Sequence, residues 1–276
     1  VPLLSLVMNH RDHRKIVVID GTVAYTGGVN LADEYINRKE RFGHWKDTAV
    51  MVQGEAVNSF TLMFLQLWNI NVKEKEDYSK YMHYTSVIDR GMRNGGYVVP
   101  YGDSPYDDED VGEKVYLDIL NRSQDYVHIM TPYLILDDKM TTALCVAAKT
   151  GVDVRIITPA IPDKWYVHAV TRANYEELTR AGVRIYEYTP GFIHSKVYLA
   201  DSVQAVVGTV NLDFRSLYLH FEDAVYLCDT AANAQIEEDF VQTFPQCCAI
   251  TYEQCRHVHL YQRILRALLR MFAPLM

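Results

Sequence analysis

The feature that most constrains the fold of this 276-residue chain is a regular alternation of strand-like and helix-like segments from residue 97 onwards. Apolar runs with strand spacing are followed by amphipathic stretches, two of which stop at Gly151 and Gly182, glycines of the kind that end helices. The strands are predicted at 97–102, 126–135, 152–160, 183–188 and 223–229, and the helices at 107–123, 138–151, 164–181 and 230–244. This order predicts an α/β fold in which helices flank a mixed, mostly buried sheet.

The first 96 residues carry a shorter version of the pattern. Residues 15–20 and 22–28 predict two strands joined by a turn at Asp20-Gly21. A helix is predicted at 55–69, with one apolar stripe made of Val57, Phe60, Phe64, Leu67 and Trp68. From residue 73 to residue 94 the sequence becomes polar and loses its periodicity, which predicts a connector between two halves of the chain.

Composition excludes several classes of protein and of site. The net charge of −8 argues against a protein whose main task is to coat nucleic acid, because that task needs a basic surface. No run approaches the ~18 consecutive apolar residues of a membrane-spanning helix. Five cysteines without a C-x-x-C pair favour a reducing compartment. The spacing of Cys247, Cys248, Cys255, His257 and His259 is poor for zinc, so we predict no metal and no cofactor.

Two stretches, residues 13–30 and 194–211, match each other without a gap. The identical pairs are His13 and His194, Lys15 and Lys196, Asp20 and Asp201, Gly27 and Gly208, and Asn30 and Asn211. A single His-x-Lys is usually a surface feature, because short motifs often match by chance. Two gapless copies on equivalent predicted strand pairs indicate duplicated units with a shared function.

The spacing places the polar residues of each stretch on one surface. Residues i and i+2 of a strand point to the same side, so His194 and Lys196 project together while Ser195 faces away. The next strand returns alongside and brings Asn211 near the histidine. Two such units facing across a pseudo-twofold axis would form one pocket with two histidines and two lysines.

This set of side chains suits phosphodiester chemistry. Ammonium and amide groups donate hydrogen bonds to the non-bridging phosphate oxygens, whose charge grows in the transition state. One histidine can attack phosphorus, and the other can protonate the leaving oxygen. The lysines supply positive charge, so the reaction needs no metal ion.

Both stretches resemble the His-x-Lys-x4-Asp signature of the phospholipase D superfamily, including its downstream Gly-x-x-Asn. The surrounding sequence resembles the bacterial cardiolipin synthase family over nearly the whole chain, in the segments NLADEY, FGHWKDTAVMVQGEAV, ITPAIPD, AGVRIYEYTPGFIHSKV and GTVNLDFRSLYLHFE. The superfamily implies two α/β repeats, a covalent phosphohistidine and metal-independent transfer. The cardiolipin synthase family implies that two phosphatidylglycerol molecules give cardiolipin and glycerol.

The resemblance also implies roles for the residues of the active site. His13 is the expected nucleophile and His194 the expected general acid and then base, although the likeness of the two stretches leaves this order open. Glu222 resembles the family's carboxylate that hydrogen-bonds the other nitrogen of a histidine and fixes its tautomer. Asp47 is the corresponding candidate in the first half. Either acid can instead be an ordinary residue at a strand end.

The remaining motif residues fall into groups. Lys15 and Lys196 are expected in the catalytic set, and the residues expected to bind phosphate or line the pocket are Asn30, Asn211, Gly28 and Thr209. Asp20 and Asp201 lie at predicted turns, where aspartate commonly hydrogen-bonds its own backbone, so we predict a structural role for both. His128, His168 and His220 have no partner spacing and are predicted to be core or surface histidines.

The end of the chain predicts a basic amphipathic helix at 259–276. One of its faces carries Arg263, Arg266 and Arg270, and much of another carries Leu260, Ile264, Leu268 and Phe272. Such a helix can lie in an anionic membrane surface. Alternatively, it can dock on the protein as an ordinary terminal helix.

These patterns predict a first phospholipase D-like repeat at 1–96, a second at 97–258 and the C-terminal helix at 259–276. We expect the chain to be the C-terminal portion of a longer protein, with the leading strands of the first repeat outside it. The expected location is the cytoplasmic face of a bacterial cell membrane. The expected partners are phosphatidylglycerol and an anionic membrane surface, and no nucleic acid.

Three functions are compatible with the sequence. The first is a phosphatidyltransferase that makes cardiolipin. The second is a phosphodiesterase of the same superfamily that uses water to hydrolyse phospholipid or, against the acidic net charge, nucleic acid. The third is a catalytically silent scaffold that keeps the repeats without their chemistry.

Overall fold

The computed structural model describes residues 10–82 and 95–273. Its strands are β1 (Arg11–Asp12), β2 (Val17–Ile19), β3 (Val23–Gly27), β4 (His44–Lys46), β5 (Ala49–Gln53), β6 (Tyr97–Asp103), β7 (Tyr126–Met130), β8 (Asp153–Pro159), β9 (Arg184–Tyr188), β10 (Gly191–Ile193), β11 (Val197–Ala200), β12 (Gln204–Gly208), β13 (His220–Cys228) and β14 (Cys247–Ile250). Its helices are α1 (Val57–Asn71), α2 (Val111–Arg122), α3 (Asp138–Lys149), α4 (Trp165–Ala181), α5 (Phe214–Tyr218), α6 (Ala231–Thr243), α7 (Tyr252–Arg256) and α8 (Leu260–Arg270). Residues 83–94 of the predicted connector lie outside the described residues.

A nine-stranded mixed sheet forms the centre of the described chain. Its order is β1-β13-β12-β11-β7-β8-β9-β14, and β6 also pairs with β13. The neighbours β7, β8 and β9 are parallel, because α3 and α4 carry the chain back between them. The pairs β6–β13, β13–β12, β12–β11, β11–β7 and β9–β14 are antiparallel, and β1 pairs parallel with β13. The prediction of an α/β fold with a mixed sheet is confirmed.

Both faces of this sheet are covered. On one face α2, α3 and α4 pack through a core that includes Tyr116, Ile119, Leu144, Leu178, Ile156 and Val206. On the other face lie α6 and a small antiparallel sheet, β2-β3-β5, and that core includes Ala24, Val52, Phe60, Val197, Leu199 and Phe240. Burial on both sides explains why the strands read as nearly continuous apolar runs.

Two short parallel pairings join the beginning of the chain to its second half. In the first, Asp12 on β1 is the register partner of Phe221 on β13. In the second, Lys46 on β4 is the register partner of Ile193 on β10. These pairings carry the chain directly to His13 and His194, so they fix the place of both histidines.

Helix α1 is shifted by two residues from its predicted range, and its apolar stripe is only partly buried. Val57 and Phe60 are fully buried against the small sheet, whereas Phe64 and Trp68 are each about half exposed. The rings of Phe64 and Trp68 stack with centres 6.0 Å apart, beside the exposed Val17 of β2. The buried face of α1 is therefore narrower than the apolar stripe that the sequence predicts.

Helix α8 packs on α4 and leaves apolar residues in solvent. Leu269 and Ala273 contact the small core made by Ile135, Val167 and Val170. More than half of the surface is exposed at Leu260, Ile264, Leu268, Met271 and Phe272. None of the described helices combines the length and the hydropathy that crossing a bilayer requires.

Candidate active site

The His13 stretch begins where β1 joins β13, and the His194 stretch begins where β10 joins β4. The backbone N–H of His13 donates to the carbonyl oxygen of Phe221 at 2.9 Å. The backbone N–H of His194 donates to the carbonyl oxygen of Lys46 at 2.7 Å. The residue after each acceptor is a carboxylic acid, so the same backbone geometry sets each acid beside a histidine.

Each histidine pairs with a carboxylate from the opposite half of the chain. Nδ1 of His13 lies 2.9 Å from Oε2 and 3.0 Å from Oε1 of Glu222, and Nδ1 of His194 lies 2.8 Å from Oδ2 of Asp47. We assigned Asp47 to the first half, but the structure brings it to the histidine of the second. When Nδ1–H donates to the carboxylate, the lone pair of the neutral ring stays on Nε2.

The two lysines lie beside their histidines, as the i, i+2 spacing predicts, but both His-x-Lys motifs lie in the segments just before β2 and β11 and not within those strands. Nζ of Lys15 donates to the carbonyl oxygen of His13 at 2.6 Å, and Nζ of Lys196 donates to that of His194 at 2.5 Å. Burial lowers the pKa of Lys15 and lowers the pKa of Lys196 to about 7, although nearby carboxylates oppose both changes. Both cations are thus held in a poorly solvated position, where a bound anion would restore their charge.

The carboxylates of the two pairs remain ionised at neutral pH. Burial works to raise the pKa of Glu222, but the charge of His13 and hydrogen bonds to the carboxylate outweigh it and lower that pKa to about 2. The pKa of Asp47 is also lowered, because the hydrogen bond from His194 and nearby cationic charge outweigh burial. Burial and the charge of Lys196 lower the pKa of His194 to about 4, against the opposing effect of Asp47.

The predicted phosphate-binding asparagines are held by matching contacts. Nδ2 of Asn30 donates to the hydroxyl of Tyr35 at 2.5 Å, and Nδ2 of Asn211 donates to the hydroxyl of Ser216 at 3.0 Å. The hydroxyl partner is five residues further along the chain in both cases. Oδ1 of Asn211 is buried and has no hydrogen-bond partner among the described residues.

Gly28 and Thr209 support the carboxylates. A Cβ atom on Gly28 would lie 2.0 Å from Oδ1 of Asp47 and 2.9 Å from the carbonyl oxygen of His194, so only glycine fits there. The hydroxyl of Thr209 donates a short hydrogen bond to Glu222. Both residues therefore lie at the histidine–carboxylate pairs, where we expected them to line a phosphate pocket.

The aspartates of the signature lie at turns. Asp20 and Asp201 both have a φ of 52°, in the left-handed region. The carboxylate of Asp201 accepts three backbone N–H groups, from Gln124, Asp125 and Tyr126, at 2.8 to 3.0 Å. It ties the β11–β12 turn to the start of β7, which supports the structural role that we predicted.

The sequence reasoning missed His220 at this site. The His220 ring centre lies 5.6 Å from that of His13, and its Nδ1 lies 3.5 Å from Oε1 of Glu222. His220 and Glu222 stand two residues apart on β13, so the i, i+2 rule that linked His194 to Lys196 would have found it. At the other pair, Trp45 takes the equivalent position, two residues before Asp47, with its ring centre 5.3 Å from that of His194.

One group of potential metal ligands occurs among the described residues: His13, His220 and Glu222, whose ligand atoms all lie within 4.8 Å of one another. The C-terminal cysteines and histidines form no such group within the described part of the chain. His128 and His168 lie away from the pairs, and burial lowers the pKa of each to about 4.

Known proteins with similar sequences include cardiolipin synthases. A family model described as "Cardiolipin synthase, PLD-like domain" matches residues 116–244. The chain is 52% identical over 275 residues to an uncharacterized protein of Streptococcus mutans, with 100% of this chain and 59% of that protein covered. It is 37% identical over 276 residues to a cardiolipin synthase of Halalkalibacterium halodurans, with 100% of this chain and 54% of that protein covered.

A solved structure supports the fold. The crystal structure of phosphatidylserine synthase from Haemophilus influenzae Rd KW20 matches with a TM-score of 0.70 at 16% identity, covering 95% of this chain and 68% of that chain. The present chain spans between 54% and 59% of the length of the two relatives named above. Residues 116–244 thus match the cardiolipin synthase family model, and the whole chain is similar to a C-terminal portion of cardiolipin synthases of the phospholipase D superfamily.

Proposed function

We propose that the chain carries the active site of a phosphatidyltransferase that condenses two phosphatidylglycerol molecules into cardiolipin and glycerol. One observation carries the proposal: two histidine–carboxylate pairs, each with a lysine on the histidine carbonyl, occur in matching backbone geometry. The contacts that define them are Nδ1 to carboxylate at 2.8 to 3.0 Å and Nζ to carbonyl at 2.5 and 2.6 Å. A chance surface motif would not repeat this set.

The same contacts support the interpretation of the chain as two phospholipase D-like repeats, 1–96 and 97–258. The hydrogen bond from Gly28 N–H to the Thr48 carbonyl matches that from Thr209 N–H to the Asp223 carbonyl, at 3.0 and 2.8 Å. The strands β2 and β3 pair as β11 and β12 do. In this proposal the helix 259–276 is a separate C-terminal element.

In the first step of the proposed reaction, Nε2 of His13 attacks the phosphorus of phosphatidylglycerol. The N–P bond forms, the bond from phosphorus to the glycerol oxygen breaks, and His194 gives its proton to that oxygen. One difference supports this order: 27% of the His13 side chain is exposed, against 8% for His194. For His194 to act as the acid, the anionic phosphodiester must raise its pKa from about 4, which is the direction in which a nearby negative charge acts.

In the second step, the hydroxyl of another phosphatidylglycerol attacks the phosphohistidine. His194 takes the proton of that hydroxyl, the N–P bond breaks, and cardiolipin leaves. The lysines Lys15 and Lys196 and the amides of Asn30 and Asn211 neutralise or bind the non-bridging oxygens throughout. Glu222 and Asp47 stabilise the positive charge that develops on each ring.

The proposed partner surface is an anionic membrane, in a bacterial cell at its cytoplasmic face. Helix α8 is docked through Leu269 and Ala273, and its exposed residues Leu260, Ile264 and Leu268 repeat at four-residue intervals on the outside. Arg263 and Arg270 are exposed on the same helix, whereas Arg266 is partly buried toward Arg172 of α4. Apolar residues flanked by arginine bind anionic lipid surfaces through burial and charge together. The acidic net charge of −8 argues against nucleic acid as substrate.

Labelled phosphatidylglycerol in detergent micelles tests the proposal. Formation of cardiolipin and release of glycerol would support the transferase. Phosphatidic acid as the product would instead identify a hydrolase. Absence of both turnover and an acid-labile phosphoprotein would identify a catalytically silent scaffold. His13→Ala and His194→Ala should each abolish turnover. His128→Gln, which removes a buried histidine away from both pairs, is the matched control and should keep it.

A further inference from the structure

We propose that His13, His220 and Glu222 form a binding site for a divalent transition metal such as Zn²⁺. The bound metal would prevent His13 from acting as the nucleophile. Each residue offers one ligand atom, and these atoms lie within 4.8 Å of one another. Two imidazole nitrogens and one carboxylate oxygen form a His₂Glu set, which binds Zn²⁺ in proteins and leaves a fourth position for solvent. The inhibitory effect of the metal rests on the proposed function, whereas metal binding itself does not.

His220 gives this group its metal-binding character. Only 12% of its side chain is exposed, its Nε2 has no hydrogen-bond partner among the described residues, and its Nδ1 has only a 3.5 Å contact with Oε1 of Glu222. Buried polar atoms are normally paired, and an unpaired one destabilises the fold. A metal ion would give one of these nitrogens a partner.

The distances are close to those of a metal site. Metal–nitrogen and metal–oxygen bonds of ~2.0 to 2.2 Å place the ligand atoms of a tetrahedral zinc site roughly 3.3 Å apart. Oε1 of Glu222 lies 3.0 Å from Nδ1 of His13 and 3.5 Å from Nδ1 of His220. Small side-chain adjustments therefore suffice, and the partly exposed His13 gives the ion a path from solvent.

The other histidine–carboxylate pair lacks this property. Trp45 takes the position equivalent to His220, and an indole nitrogen donates a hydrogen bond but offers no lone pair to a metal. The ammonium group of Lys196 also lies 3.0 Å from Nε2 of His194, where it repels a cation. Within residues 10–82 and 95–273 the structure therefore predicts one metal site, at the pair that contains His13.

Coordination would stop the proposed reaction for a simple reason. A neutral imidazole has one nitrogen with a lone pair, and the other nitrogen carries the proton. When the metal takes Nδ1 of His13, the proton stays on Nε2, so this atom can neither attack phosphorus nor accept a proton. Removal of the metal by a chelator would restore the free lone pair.

Titration of the metal-free protein with Co²⁺, followed by its visible absorption, tests binding directly. We expect one equivalent to bind to the wild type and to His128→Gln, which lacks a buried histidine elsewhere. The affinity of His220→Gln for Co²⁺ should be lower by about 10- to 100-fold or more. Loss of a residue that only hydrogen-bonds a metal ligand already lowers affinity by that factor. Equal affinity in His220→Gln, or no binding to the wild type, would overturn the proposal.

X-ray absorption of the zinc-loaded wild type gives a second answer that does not depend on a variant folding. A shell of nitrogen and oxygen atoms at ~2.0 to 2.2 Å with imidazole scattering supports the site, and sulfur in the shell overturns it. Zn²⁺ should also inhibit turnover of the wild type more strongly than that of His220→Gln, each relative to its own metal-free rate. Inhibition that is equal in both proteins would contradict the blocking role.

Discussion

Replacement of Glu222 by Gln tests the central interaction of the proposed site. The carboxylate is fully buried and accepts Nδ1–H of His13 at 2.9 Å. Gln keeps an oxygen at this place but removes the charge. The imidazole of His13 becomes positively charged as Nε2 attacks phosphorus, so the negative carboxylate matters most in the transition state.

Two considerations give the same magnitude. A hydrogen bond to a charged group contributes about 1.5 to 3 kcal/mol. The change in the pKa of Glu222 from 4.5 to about 2 corresponds to about 3 kcal/mol in favour of the ionised carboxylate. A loss of about 2 to 3 kcal/mol in the transition state lowers kcat roughly 30- to 150-fold.

The assay is the single-turnover formation and decay of the phosphoprotein with labelled phosphatidylglycerol. Asp223→Asn is the matched control, because Asp223 is the next residue on β13, is equally buried, and contacts Lys15 N–H and Thr26 instead of a histidine. Burial raises the pKa of Asp223 to about 6, whereas that of Glu222 is lowered to about 2, so loss of the charge should cost less at Asp223. Wild-type kcat in Glu222→Gln, or an equal loss in Asp223→Asn, would refute the reasoning.

Three further predictions concern other parts of the molecule. Because Lys196 loses its proton as the pH rises through about 7, kcat/KM of the wild type should fall above that pH. In Lys196→Arg, whose guanidinium stays charged, kcat/KM should keep its maximum value to higher pH. Parallel pH profiles of the two proteins would contradict this. Gly28→Ala places Cβ 2.0 Å from Oδ1 of Asp47 and should abolish turnover. The protein should still unfold cooperatively when its Tm is measured by circular dichroism, and retained turnover would contradict this prediction. Ile264→Glu on α8 should weaken binding to phosphatidylglycerol vesicles roughly 10-fold in a flotation assay, whereas Val241→Glu, at an equally exposed apolar residue of α6, should not.

Local rules were sufficient for the strands that carry the motifs. Alternation and turn residues predict β2, β3, β11 and β12, and the i, i+2 rule places each lysine beside its histidine. These features depend on residues that are close in sequence. The same rule applied to Glu222 would have brought His220 into the site.

The crossing of the histidine–carboxylate pairs could not be predicted in the same way. His13 and Glu222 are 209 residues apart, and His194 and Asp47 are 147 residues apart. They meet through β1 with β13 and β4 with β10, pairings of two and three residues that leave no periodic signal. The prediction that the whole apolar stripe of α1 is buried was wrong for a related reason. Only tertiary packing decides which part of an apolar helix face is covered, and Phe64 and Trp68 lie outside the covered part.

The matching backbone frame holds two unequal histidines, and this inequality bears on the direction of the proposed reaction. His13 is the more exposed ring and has a second imidazole beside it, whereas His194 is buried beside Trp45 and Lys196. A nucleophile must reach the lipid phosphate, while a general acid needs a protected proton that it gives up only in the transition state. Two identical sites would start the reaction equally well from either histidine. Unequal burial favours attack by His13, and peptide mapping of the trapped phosphohistidine should therefore locate the phosphoryl group on His13 and not on His194.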